Sequence, residues 1–146
     1  MVPHGSGWDW ADTCKTLSVT DTMKLEGDGK LLRIFLGESD RVDGRMMYEA
    51  IVRAARESGL AGATVLRGVE GFGAKSRIHT AKILRLSEDL PIIVEIVDTE
   101  EKIQAFMPVV DELFRRSGGG GLMTLEKAEV IRYTPGRASS SAKGSN

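Results

Sequence analysis

The chain has 146 residues, is 41% hydrophobic and 28% charged, and carries a formal net charge of -1. That is the length of one globular domain, and the charge is too close to neutral for bulk nucleic-acid binding. No apolar run approaches the roughly 18 residues of a membrane span. The single cysteine, Cys14, excludes an internal disulfide. The N-terminus lacks a basic start followed by an apolar stretch, so a cytoplasmic home is expected.

Residues 1–23, "MVPHGSGWDWADTCKTLSVTDTM", sustain no period of 2 or 3.6. They are expected to be a disordered extension, with docking of Trp8 and Trp10 as the alternative. "KLLRIFLG", Lys30 to Gly37, is short, apolar and closed by glycine, and it predicts a strand. "DGRMMYEAIVRAARESG" follows. Its stripe of Met47, Ala50, Ile51, Ala54 and Ala55 predicts a helix, with Asp43 as the starting cap and Gly59 at the end.

"GATVLRG", Gly62 to Gly68, predicts the second strand. "LPIIVEIVD", Leu90 to Asp98, predicts the third, apolar on both faces except at Glu95. A second helix is expected from Thr99 to Arg116. Its stripe is Ile103, Phe106, Met107, Val110, Leu113 and Phe114, and Asp98 with Glu101 resembles a capping box. Pro108 interrupts it, at a cost of about 3 kcal/mol, and predicts a kink. After "SGGGG" a last strand runs from Leu122 to Tyr133, with a bulge expected near Glu126 and Lys127. The Ser/Gly/Ala-rich residues 134–146 are expected to be a disordered tail. The folded unit is thus residues 24–133.

The order β-α-β-β-α-β is the split βαβ, ferredoxin-like pattern of the α+β class. It predicts a four-stranded antiparallel sheet with both helices on one face. The third strand's second face is also apolar, so self-association is the economical way to cover it.

The segments "GESDR", "YEAIVRAARESGLAGATVLRGVEGFGA", "IHTAKILRLSEDLPIIVEIVDTEEKI" and "LMTLEKAEVIRY" resemble the DUF190 family of PII-like signalling proteins. The resemblance covers residues 24–133. It implies a homotrimer that senses a small molecule and is not an enzyme. It implies adenine nucleotide binding in clefts between subunits, and a long T-loop between strands two and three that touches a partner protein. That partner would be a membrane transporter or channel, or a cytosolic target.

"VEGFG", Val69 to Gly73, is similar to the start of the T-loop. "SGGGG", Ser117 to Gly121, falls where PII proteins carry a glycine-rich phosphate loop. Arg132 falls near their basic residues at the end of the last strand. Two departures stand out. Leu122, Met123 and Thr124 replace the Asp-Gly-Lys run that follows the PII glycines, and no tyrosine occurs between Tyr48 and Tyr133.

The stretch "GVEGFGAKSRIHT", residues 68–80, approximates a P-loop, but Ala74 intrudes before Lys75 and Ser76 and no helix pattern follows. Arg67, Lys75, Arg77, Lys82 and Arg85 face only Glu70 in this region, with His79 beside them. Such a loop attracts a small anionic metabolite, or is merely a solvated basic loop. Gly71 and Gly73 predict positive φ or close backbone approach. Gly118, Gly119, Gly120 and Gly121 suit a phosphate nest or a plain helix terminus.

The candidate effector site is therefore Gly71, Phe72, Gly73, Lys75, Ser76, Arg77, His79 and Thr80, with Gly118 to Gly121 and Arg132. His79 lacks a partner for acid–base work, and no nucleophile constellation or metal-ligand set is evident. Glu95 is expected to pair with an arginine at a subunit rim. The alternatives are an RNA-binding module or a metal-binding trimer of the same fold. Against the first, the central strands offer only Phe35 for base stacking.

Overall fold

The computed structural model describes residues 25–73, 79–80 and 89–135, with 79–80 described as backbone only. The expected extension 1–23 and residues 136–146 of the expected tail lie outside these residues. β1 (Gly27–Gly37) opens the domain. β2 (Arg41–Val42) and β3 (Arg45–Met46) form a small hairpin, which leads directly into α1 (Met47–Glu57). β4 (Thr64–Arg67), β5 (Glu70–Gly71) and β6 (His79–Thr80) follow, then β7 (Pro91–Asp98). α2 (Glu100–Ser117) and β8 (Leu122–Val130) complete it.

The main sheet has the order β4-β7-β1-β8, and every pairing in it is antiparallel. This is the ferredoxin-like α+β arrangement the element order predicts. The core lies between the two helices and one sheet face. On β1 and β7, Leu32, Ile34, Leu36, Ile92, Val94 and Ile96 alternate toward it, meeting Met47, Ile51 and Ala55 of α1 and Ile103, Phe106 and Val110 of α2. Period 2 on the strands and 3.6 on the helices select these residues.

Several local expectations are corrected. Asp43 does not cap α1. It has φ 49° and precedes Gly44 at φ 77°, so Asp43-Gly44 is the positive-φ turn of the β2–β3 hairpin. The N-cap is Met46, which makes no side-chain cap hydrogen bond. Met47 N–H donates instead to the Asp40 carbonyl at 2.8 Å. The α2 cap is displaced by one residue: Thr99 Oγ1 accepts from Lys102 N–H at 3.5 Å.

Asp98 is 1% exposed and has another task. Its carboxylate accepts from Ala61 N–H and Thr99 N–H, both at 2.8 Å, and ties the α1–β4 connection to the end of β7. The β1–β8 register runs unbroken from Gly27↔Val130 to Phe35↔Leu122, so the bulge expected near Glu126 and Lys127 does not occur. β1 starts at Gly27, earlier than its apolar run, and β8 ends at Val130, where β1 offers no further partner.

Pro108 lies inside α2 without ending it. Phe106 and Val110 on either side of it are fully buried, and that burial outweighs the lost backbone bond.

Candidate functional site

Two surfaces stand out. The first is the sheet face away from the helices. Register and alternation place Leu31 and Phe35 of β1, Ile93 and Val97 of β7, Leu66 of β4 and Leu122 of β8 on it. Leu66 and Leu122 are exposed, at 44% and 57%. At its centre Arg33 Nε donates to Glu95 Oε1 at 2.7 Å, and the same guanidinium also meets Glu126 on β8. Glu95 is thus paired to an arginine, within its own chain. The hydrogen bond it donates to Glu95 raises the Arg33 guanidinium above its ordinary value, so it stays cationic. An oily face whose one arginine is already paired within the chain suits a self-complementary contact. Phe35 is the sole aromatic that β1 and β7 place there, which leaves an RNA-binding platform without its stacking pair.

The second surface is the sheet end where β1 and β4 finish and β7 and β8 begin. Gly68 N–H donates to the Pro91 carbonyl at 2.7 Å. A Cβ on Gly68 would lie 2.6 Å from Pro91 Cγ, and one on Gly71 would lie 3.0 Å from it. Gly71 therefore serves close backbone approach. Neither it nor Gly73 is among the positive-φ glycines, and Gly73 borders open space.

The stretch after Gly68 turns into β5, paired with β6 through Glu70↔Thr80 and Gly71↔His79. It is the stem of a hairpin and no P-loop. Phe72 and Val69 project from it at 73% and 76% exposure. Lys75, Ser76 and Arg77 lie outside the described residues, as do Lys82 and Arg85. The returning side of the loop is pinned by Ser39 N–H to Asp89 Oδ1 at 2.7 Å and Glu38 N–H to the Leu90 carbonyl at 2.9 Å.

Gly118 to Gly121 reach the same sheet end, because Gly121 directly precedes Leu122, the partner of Phe35. Gly118 (φ 66°) ends α2 in the left-handed conformation, and its N–H donates to the Phe114 carbonyl at 3.1 Å. Gly119 N–H donates to Ser117 Oγ at 2.9 Å. Gly121 is tightly packed: a Cβ there would meet the Phe114 ring at 2.4 Å and the Phe35 carbonyl at 3.0 Å. Gly120 borders open space. The helix-terminus reading thus accounts for Gly118, close packing accounts for Gly121, and Gly120 is left open to a ligand.

From β4 across β7 and β1 to β8 is three strand spacings, about 14 Å, so one chain holds the hairpin stem and the glycine turn well apart along one edge. Arg132 is not with them. It follows the far end of β8, about 27 Å of strand away, and its Nε reaches Thr134 Oγ1 at 3.3 Å.

Charge at this end was not legible from spacing. Glu38, Asp40 and Asp89 are the carboxylates there, with Asp40 Oδ2 accepting from Gly37 N–H at 2.8 Å. Arg67 pairs with Glu38 at 2.9 Å, and Arg41 directly follows Asp40. Arg116, at the end of α2, pairs with Asp43. Among the described residues no cluster of three or more His, Cys, Asp or Glu is arranged to hold a metal ion, and no helix is long and apolar enough to cross a membrane.

This sheet order, with both helices on one face and a hairpin stem between strands two and three of the main sheet, defines a ferredoxin-like protein of PII-like fold. Solved structures agree at the level of fold. CPII, a nitrogen regulatory PII-like protein from Thiomonas intermedia K12 bound to ADP, AMP and bicarbonate, is 20% identical with TM-score 0.53, covering 72% of this chain and 90% of that one. A putative PII-like signalling protein from Thermus thermophilus is 19% identical with TM-score 0.53, covering 72% and 91%.

The DUF190 family model, described as Uncharacterized ACR, matches residues 29–130, and the chain belongs to that family. A UPF0166 protein of Aquifex aeolicus is 41% identical over 102 residues, 70% of this chain and 92% of its own length. A second UPF0166 protein, from Methanocaldococcus jannaschii, is 38% identical over 89 residues, 61% of this chain and 82% of its own.

Proposed function

We propose that the protein is a cytoplasmic PII-like regulator, a homotrimer that binds a small anionic effector, an adenine nucleotide, at the seams between subunits. The observation that carries this is that the β5–β6 stem and the Gly118 to Gly121 turn stand at the same end of a sheet whose open face is apolar, on its opposite edges, so that a neighbouring copy can bring one chain's stem to another's turn. Packing the open faces of three copies together covers Leu31, Phe35, Leu66, Ile93, Val97 and Leu122, and creates seams along the strand ends. CPII, of the same fold, binds ADP and AMP, which supports the choice of ligand class.

The charge distribution suggests how such a site works. The carboxylates Glu38, Asp40 and Asp89 at the sheet end repel a phosphate. Lys75 and Arg77, together with Lys82 and Arg85, supply the opposite charge, and effector binding orders the loop at residues 70–89. Gly120, open and free of a side chain, lets the backbone approach the phosphate oxygens. Arg132 joins only if a neighbouring subunit brings it.

Effector binding is thereby coupled to loop conformation, and the ordered loop presents Phe72 and Val69 to a partner, a membrane transporter or channel or a cytosolic target. The ligand shifts the loop only by its difference in affinity for the two loop states.

Isothermal titration with ATP, ADP, AMP and cyclic AMP tests this. At least one should bind, and Lys75→Ala with Arg77→Ala should weaken it tenfold or more, about 1.4 kcal/mol. An intact trimer that binds none of the four contradicts the nucleotide assignment.

A further inference from the structure

The helix layer does not cover the whole sheet. Its buried strand residues all lie on β1 and β7, whereas each residue of β4 is exposed. Val65 points to the helix side, opposite buried Val94, yet remains 37% exposed. Beside it α1 presents Tyr48, Val52 and Arg56 at helical spacing, with Glu49, Arg53 and Glu57 alongside, and these residues line one groove with Val65 at its floor. β4 is also an edge strand, paired only with β7 in the main sheet, so the backbone groups along its outer edge, beside this groove, have no partner strand in that sheet. Arg53 pairs with Glu57 at 3.0 Å, and Arg56 has no carboxylate partner among the described residues.

We propose that the N-terminal extension occupies this groove, with residues 8–12, Trp-Asp-Trp-Ala-Asp, added as a short strand antiparallel to β4. Three features of the sequence and fold converge on it. First, alternation along an extended segment puts Trp8, Trp10 and Asp12 on one side, two indoles for Val65, Val52 and Tyr48 and a carboxylate for Arg56. Second, the polarity fits. Arg56 is at the C-terminal end of α1, the end of the domain where the chain enters β1, so Asp12 lies nearest the entry and Trp8 farthest from it. β4 runs away from that end, since Thr64 pairs with Glu95 and Arg67 with Ile92, and the incoming segment is therefore antiparallel. Third, the reach suffices. Residues 13–24 span up to about 40 Å when extended, and β4 is two strand spacings, about 10 Å, from β1.

Trp8 and Trp10 are the chain's only tryptophans, so intrinsic fluorescence reports on the extension alone. The full chain should emit to the blue of free indole in water and resist quenching by acrylamide. Val65→Asp and, separately, Arg56→Glu should each move emission to the red and raise quenching at least twofold. Both sites are at the surface, and an unchanged circular dichroism spectrum confirms that the domain remains folded. Emission at the position of free indole overturns the proposal. So does a blue shift that neither substitution changes, which would place the indoles elsewhere. A blue shift lost on dilution together with the trimer would assign them to a subunit seam, and likewise overturns it. None of these readings depends on nucleotide binding.

Discussion

The glycine turn offers a graded test, because its four glycines differ in what a methyl group would meet. At Gly121 an added Cβ falls 2.4 Å from the Phe114 ring and 3.0 Å from the Phe35 carbonyl. The ring can swing away; the carbonyl belongs to the β1 backbone and cannot. Overpacking of this kind costs about 1–3 kcal/mol, so Gly121→Ala should be destabilising by that amount. At Gly118 nothing lies within 4 Å, but φ is 66°, which costs an L-residue about 1–2 kcal/mol. Reduced freedom of the unfolded chain returns about 0.4–1 kcal/mol, leaving Gly118→Ala near 1 kcal/mol.

Gly120 has open space and no positive φ, so Gly120→Ala should be neutral or stabilising by up to about 1 kcal/mol. The same methyl would stand where a phosphate approaches, so this variant should lose nucleotide affinity while keeping its stability. Urea denaturation at one fixed subunit concentration measures the first quantity, and calorimetric titration the second. If Gly120→Ala unfolded as easily as Gly121→Ala, the packing described for this turn would be wrong.

Asp98→Ala strips the acceptor from Ala61 and Thr99 N–H groups, at about 1–3 kcal/mol for each orphaned donor. A loss of about 2–6 kcal/mol in urea denaturation is expected, and a loss below about 1 kcal/mol would contradict the role given to Asp98. Leu66→Glu places a charge on the open sheet face without touching the core, so sedimentation velocity should show dissociated subunits that retain their circular dichroism spectrum. The Arg115 guanidinium, through its hydrogen bond, lowers the Glu112 carboxyl below its ordinary range. A carboxyl lowered by folding contributes stability above its unfolded pKa and loses it as pH falls through the folded value. A carbon-detected NMR titration should give Glu112 a depressed midpoint that Arg115→Gln returns to the ordinary range.

The sheet topology was legible because its information is periodic and local. Ile92, Val94 and Ile96 alternate with Ile93, Glu95 and Val97, and the runs around Ile34 and Val94 are long enough to name strands. The errors came where one residue type serves two local structures. Asp43 is a good helix cap, but followed by Gly44 it is a better positive-φ turn, and extending the helical stripe backward concealed the hairpin. Asp98 looked like a cap, yet its carboxylate is used by a connection 37 residues away in sequence, and no periodicity reports that. The candidate site was legible only in part. Glycine spacing marked the loop stem and the turn, but Asp89 joins Glu38 and Asp40 at the sheet end only in three dimensions. The distance of Arg132 from the turn likewise follows from β8 running unbroken to Val130.

Sedimentation equilibrium of the full chain at micromolar concentration bears most directly on the assembly from which the seams arise. The account predicts a mass of three chains of 15.9 kDa each. A stable mass of a single chain would contradict it, and would remove the covered sheet face and the effector seams together.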